Sequence, residues 1–107
     1  MNFKNYLNEV FVKIDKKSVN TVKDFAERYD FRDEKIGSMI LSSVEKILDG
    51  VDGKHMDKNT FANVCISKAK SCAKEMGLEN SFKSFMNNTS NTWNILDFFS
   101  KVYDIVK

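Results

Sequence analysis

The segment TVKDFAERYDFRDEKIGSMI, residues 21–40, carries the pattern that decides the fold. Apolar residues recur at three- and four-residue intervals on either side of a short polar break, as they do on one face of an α-helix. Val22, Phe25, Ala26 and Tyr29 form the first set, and Ile36, Met39 and Ile40 open the second. Asp33 stands at an N-cap position, where a carboxylate can accept a backbone N–H that the first helical turn leaves unpaired. The local reading is two amphipathic helices meeting at a tight corner.

The same spacing continues outward. Val19, with Ser18 as its cap, begins the first of these helices, and Val44, Ile47 and Leu48 carry the second to a stop at Gly50. Upstream, Phe3, Leu7, Val10, Phe11 and Ile14 predict an N-terminal helix. Downstream, Phe61, Val64, Cys65, Ala69, Cys72, Ala73 and Met76 predict a helix that starts after Asp57 and ends at Gly77. Phe82, Phe85 and Met86 fit a short helix before a polar loop, NNTSN, and a last helix runs from about residue 92 to the C-terminus. No stretch alternates with period two between turn signals, and the chain has no proline and four glycines. The expected fold is all-α: one helical domain over residues 1–107, a compact bundle of five or six helices around the single core that this length can bury.

Composition narrows the function classes. Hydrophobic residues make up 42% and nine are Phe, enough for a packed core. No run approaches the ~18 apolar residues of a membrane span, and charges interrupt the apolar pattern at the N-terminus, unlike a signal peptide. A soluble cytoplasmic protein with no membrane role is expected. Cys65 and Cys72 lie seven residues apart on a helix, a rise of about 10.5 Å that exceeds disulfide reach, so both are read as reduced core thiols. The sequons at Asn87 and Asn88 would be silent in that compartment. Fifteen lysines against two arginines, with eleven asparagines, suit a small phage or mobile-element protein, while a net charge of +2 does not announce a polyanion partner.

Catalytic patterns are missing. The segment LDGVDGKHMDKNT around His55 fails the calcium-loop test in both registers: Gly53 at position six leaves Leu48 at one and Asn59 at twelve, and Gly50 there leaves Ile47 at three and Met56 at twelve. Its plainer reading is a helix stop at Gly50, a turn at Asp52 and Gly53, and a cap at Asp57. Two cysteines on one apolar face and a distant histidine do not make a zinc set. No phosphate loop, nucleophile elbow or HExxH spacing occurs. The expectation is a non-enzyme with no cofactor and no metal.

The opening segment resembles a helix-turn-helix motif. Ala26 takes the small position of the first helix, and Phe25, Tyr29, Phe31, Ile36 and Met39 fall on the apolar positions. Asp30 holds the turn position usually given to glycine. The resemblance implies a DNA-binding regulator, dimeric through the last helix, with Arg32, Lys35 and Ser38 on the reading helix and Lys16 and Lys17 toward phosphates. Charge opposes it: residues 21–50 hold five basic and seven acidic side chains.

The competing reading is a regulatory or inhibitory protein that docks on another protein. In the last helix, Ile95, Leu96, Phe98, Phe99, Val102, Tyr103, Ile105 and Val106 cover about half the circumference, wider than one flank of a bundle requires. Either this helix is central, or part of its stripe forms a groove or a homodimer surface. In the second case Trp93, Phe99, Phe82 and Phe85 would be the partner-binding anchors, and Asp33 and Glu34, with Asp24 and Glu27, would set orientation as rim charges.

Overall fold

The computed structural model describes residues 11–107. Five α-helices dominate it: α1 (Val19–Arg28), α2 (Glu34–Asp49), α3 (Lys58–Glu75), α4 (Glu79–Met86) and α5 (Thr89–Val106). A 3-10 turn, Lys16–Ser18, leads into α1, and two short strands, β1 (Val12–Lys13) and β2 (His55–Met56), pair antiparallel with Val12 opposite Met56.

Most helix ends lie where the capping chemistry requires. Asp33 accepts the Ile36 N–H at 3.0 Å, and Asp57 accepts that of Thr60 at 2.8 Å. Beyond α3, Gly77 adopts φ +74°, a left-handed conformation that costs a side-chain-bearing residue about 1–2 kcal/mol. Ser18 occupies the N-cap of α1 without capping it through its side chain, because the 3-10 turn already feeds the helix and Asp15 serves the N–H of Lys17. The NNTSN segment is not a loop: Asn88 accepts the Asn91 N–H, and α5 starts at Thr89, three residues before its expected start near Thr92.

The N-terminal helix expectation fails where it can be checked. Residues 3–10 lie outside the described part of the chain, but Val12 and Lys13 are a strand. Ile14 is buried and Phe11 is exposed, so the in-and-out alternation of β-branched residues outweighs the three-and-four spacing. The segment is clamped where it leaves the strand pair. The N–H of Ile14 donates to Lys54 O, Gly53 N–H donates to Ile14 O, and the N–H of Asp15 donates to Val106 O at the end of α5.

Packing explains why α3 can touch α2, α4 and α5 at once. Its buried face carries Ala62, Cys65, Ala69, Cys72 and Ala73, small side chains that let neighbouring backbones approach, with Phe61 as its single large ring. Across from them, α5 buries Ile95, Phe98, Phe99, Val102, Tyr103 and Val106. Phe98 is fully buried, with the rings of Phe25, Tyr29, Phe31 and Phe99 at centroid distances of 4.7–5.3 Å. The buried apolar residues form one continuous cluster.

The width of the α5 stripe is therefore accounted for by the core. Phe82, Phe85 and Phe99 are all at most 6% exposed, so none is a surface anchor, and of the stripe only Leu96 and Ile105 stay partly exposed. Cys65 and Cys72 are buried free thiols, and burial pushes the Cys65 thiol up to about 12. Among the described residues no helix is long and apolar enough to cross a membrane.

Replacing Phe98 with Ala is expected to cost about 3–5 kcal/mol, the range for deleting a buried ring at the junction of several others. Urea denaturation of the purified chain measures it; a loss near 1 kcal/mol would show that the cluster is not organised around this residue.

Candidate functional site

The corner of residues 29–33 is built from the sequence upward. Tyr29 ends α1 with an extended backbone, Phe31 turns inward, and Asp33 restarts the helix. The left-handed residue is Arg32, at φ 62°, rather than Asp30, where the helix-turn-helix pattern places it. Asp30 is used differently: its carboxylate accepts the Arg32 N–H at 2.9 Å, which puts the left-handed residue two positions later than the pattern predicts. Gly37 lies directly under the Phe31 ring, and a Cβ there would sit 3.2 Å from it, so the small residue is what lets α2 come this close to the turn.

A latch from α5 holds the corner. The Tyr29 hydroxyl donates to Asp97 Oδ2 at 2.6 Å, and Asn94 Nδ2 donates to Asp30 O at 2.9 Å. Burial and the neighbouring Asp97 carboxylate raise the Tyr29 hydroxyl well above its ordinary value. Asp97 is lowered by the Tyr29 hydrogen bond and by Lys101, which lies 3.0 Å away.

The first turns of α2 form a ridge between two clefts. The cleft on the α1 side, about 440 Å³, is lined by Glu27, Asp30, Asp33 and Glu34, with Arg32 the only cation among its lining residues. The cleft on the α3–α4 side, about 700 Å³, shares Asp33, Glu34 and Ser38 and adds Lys35, Met39, Ser42, Met76 and Leu78. Met76, expected in the core of α3, is 47% exposed. It sits at the helix C-cap beside Gly77, where the chain turns away from the core. A methionine immediately before a terminating glycine is the only sequence signal that could have marked it.

The candidate residues do not form one set. Asp33 and Glu34 flank both clefts, and Arg32, Lys35 and Ser38 lie around the same ridge. Trp93 is 67% exposed on α5 and lines neither cleft. Lys16 and Lys17 are at the other end of α2, where Lys16 Nζ pairs with Asp49 at 2.7 Å. Sixteen residues of helix, about 24 Å, separate them from Arg32 and Lys35. Along the outward face of α2, Lys46 is paired with Glu75, and Glu45 takes Lys23 at 3.3 Å. Arg32 and Lys35, at the start of α2, are in no ion pair among the described residues.

His55 is exposed on β2, and among the described residues no group of three or more His, Cys, Asp or Glu side chains is placed to hold a metal ion. No protein family, curated protein or solved structure matches the chain.

Tyr29→Phe is expected to destabilise the fold by about 1 kcal/mol near neutral pH, the usual net value of a lost hydrogen bond. The pH profile is diagnostic. A lowered folded pKa at Asp97 adds stability above the ordinary carboxylate range that is lost as pH falls through it, and a raised pKa at Tyr29 adds stability that is lost as pH rises above about 10. Chemical denaturation across pH should show the difference between wild type and Tyr29→Phe shrinking at both extremes; a difference constant with pH would deny the latch. Arg32→Gly should stabilise by about 0.5–1 kcal/mol, the relief of the left-handed backbone less the entropy of glycine.

Proposed function

We propose that this chain is a non-catalytic binding protein, a small regulatory or inhibitory adaptor that docks the end of its bundle around the α1–α2 corner on another protein. The observation that carries this reading is the ridge at the start of α2: carboxylates presented by a latched turn between two clefts, one of them floored by methionine. Fixed like-sign charge beside an adaptable apolar surface is what protein recognition uses, the charge steering approach and the apolar contact supplying residence time. Asp33 and Glu34 are the orienting groups in this reading, with Glu27 and Asp30 alongside them. Of the aromatic anchors considered, only Trp93 keeps an exposed ring, and it would serve a separate contact.

The helix-turn-helix alternative shares the corner but not the electrostatics. Arginine is the usual reader of guanine, and duplex binding gains most of its affinity from cations set against phosphates. The end of α2 that would enter the groove presents Asp33 and Glu34 there.

The test is a photo-crosslinking amino acid placed at Glu34 and, as a control, at Lys70 on α3, in cells that express the protein naturally. The Glu34 probe should give discrete adducts that survive nuclease and are missing from the Lys70 control. Nuclease-sensitive adducts, or salt-sensitive binding of mixed-sequence duplex DNA by the purified chain, would move the function to DNA; no adduct from the corner would remove the docking surface.

A further inference from the structure

Two methionines converge at the floor of the α3–α4 side cleft. Met39 Sδ and Met76 Sδ each lie 3.9 Å from Ser43 Oγ, one from the buried face of α2 and one from the end of α3. Ser43 is itself buried and donates its hydroxyl hydrogen to Met39 O, so the polar atom beneath the thioethers is satisfied. What the cleft offers an occupant is therefore soft apolar surface, exposed Met76 and half-buried Leu78, backed by the fully buried Met39. Unbranched thioether side chains repack around differently shaped apolar groups at little cost.

The rim has a sign. Asp33 and Glu34 stand at one end, and exposed Glu79, in the first turn of α4, follows Leu78 at the other. Lys35 is the cation among the lining residues, and Glu75 is already neutralised by Lys46. Two carboxylates against one ammonium give the lining a net charge of about −1, to which Glu79 beside Leu78 adds, while Arg32 beside Asp33 and the half-unit of positive charge at the start of α2 work against it.

We propose that this cleft seats a lysine- or arginine-rich amphipathic helix of a partner protein, its apolar stripe on Met76 and Leu78 and its cations toward Asp33, Glu34 and Glu79. The inference rests on the docking reading above and names the chemistry of the partner. The wall supplied by residues 33–42 of α2 is about 14 Å long, between two and three turns of a facing helix. The cleft has helical walls, and β1 and β2 do not line it, so the geometry matches a helix laid in a groove rather than a strand added to a sheet. A second copy of the chain is the poorer complement: among the described helices the one richest in lysine, α3, has spent its buried apolar face on the core.

The experiment uses isotope-labelled full-length protein and a synthetic leucine–lysine amphipathic helix of about 14 residues, ~21 Å long, followed by amide chemical shifts. The expected perturbations map to the first half of α2 and to residues 75–79, and the counterpart peptide with glutamate in place of lysine binds at least about tenfold more weakly. Asp33→Asn with Glu34→Gln should weaken the lysine peptide by about tenfold at low salt while leaving the melting temperature unchanged, since asparagine caps a helix as well as aspartate does. Met76→Ala should weaken it at all salt concentrations. Equal binding of the glutamate peptide, perturbations confined elsewhere, or no binding overturns the inference. If the Glu34 probe still captures protein in that event, the docking reading stands and only the partner's chemistry is wrong; loss of both results sinks both.

Discussion

The packing of α1 against α5 through Phe98 is the contact on which the corner depends. Phe98 is stacked nearly parallel to Phe25 and meets Phe31, Tyr29 and Phe99 edge-on or tilted, so a residue from α5 holds both the end of α1 and the turn after it. Such ring pairs add to the stabilisation from area burial, and their preferred geometries restrict how the elements can shift. The polar latch lies directly over this cluster: Asn94 and Asp97 reach Asp30 and Tyr29 from the same helix that supplies Phe98. A turn of five residues is thereby positioned from a segment more than sixty residues away in the chain.

That rigidity gives the surface its character. Surface carboxylates on a mobile loop contribute little, because screening and side-chain entropy consume the Coulomb energy. Here Asp33 is held by its cap bond and Asp30 by its bond to Arg32, so the negative field around the start of α2 has a fixed direction. The thioethers on the α3–α4 side are the opposite kind of element, adaptable and uncharged. Elsewhere several long cations are held in ion pairs, Lys16 to Asp49, Lys46 to Glu75 and Lys58 to Asp104, and these pairs brace α2 and α3.

Much of this was legible in the residues and some was not. The apolar spacing located all five described helices, and aspartates with a residue to spare before each apolar run marked the caps of α2 and α3. The readings that failed share a cause. Phe11 and Ile14 satisfy helical spacing, but Val12 and Ile14 also satisfy alternation, and only the availability of Lys54, Gly53 and Met56 as pairing partners decided for the strand. The pattern gave the turn to Asp30 and the reading helix to Arg32, but Arg32 turns left-handed while the Asp30 side chain captures its N–H. Phe82, Phe85 and Phe99 read equally well as anchors or core, because an apolar side chain does not declare which surface will cover it.

By itself the sequence determined the all-helical class, most of the helix limits and the acidic balance of residues 21–50, since periodicity, caps and charge are properties of neighbouring residues. The tertiary structure alone decided that the wide stripe of α5 is core, that Lys16 and Lys17 lie a helix length from Arg32, and that Met76 is on the surface between α2 and α4. Those outcomes turn on which faces meet across long stretches of chain. Burial is a property of a pair of surfaces, and a pattern along one strand of residues specifies only one of the two.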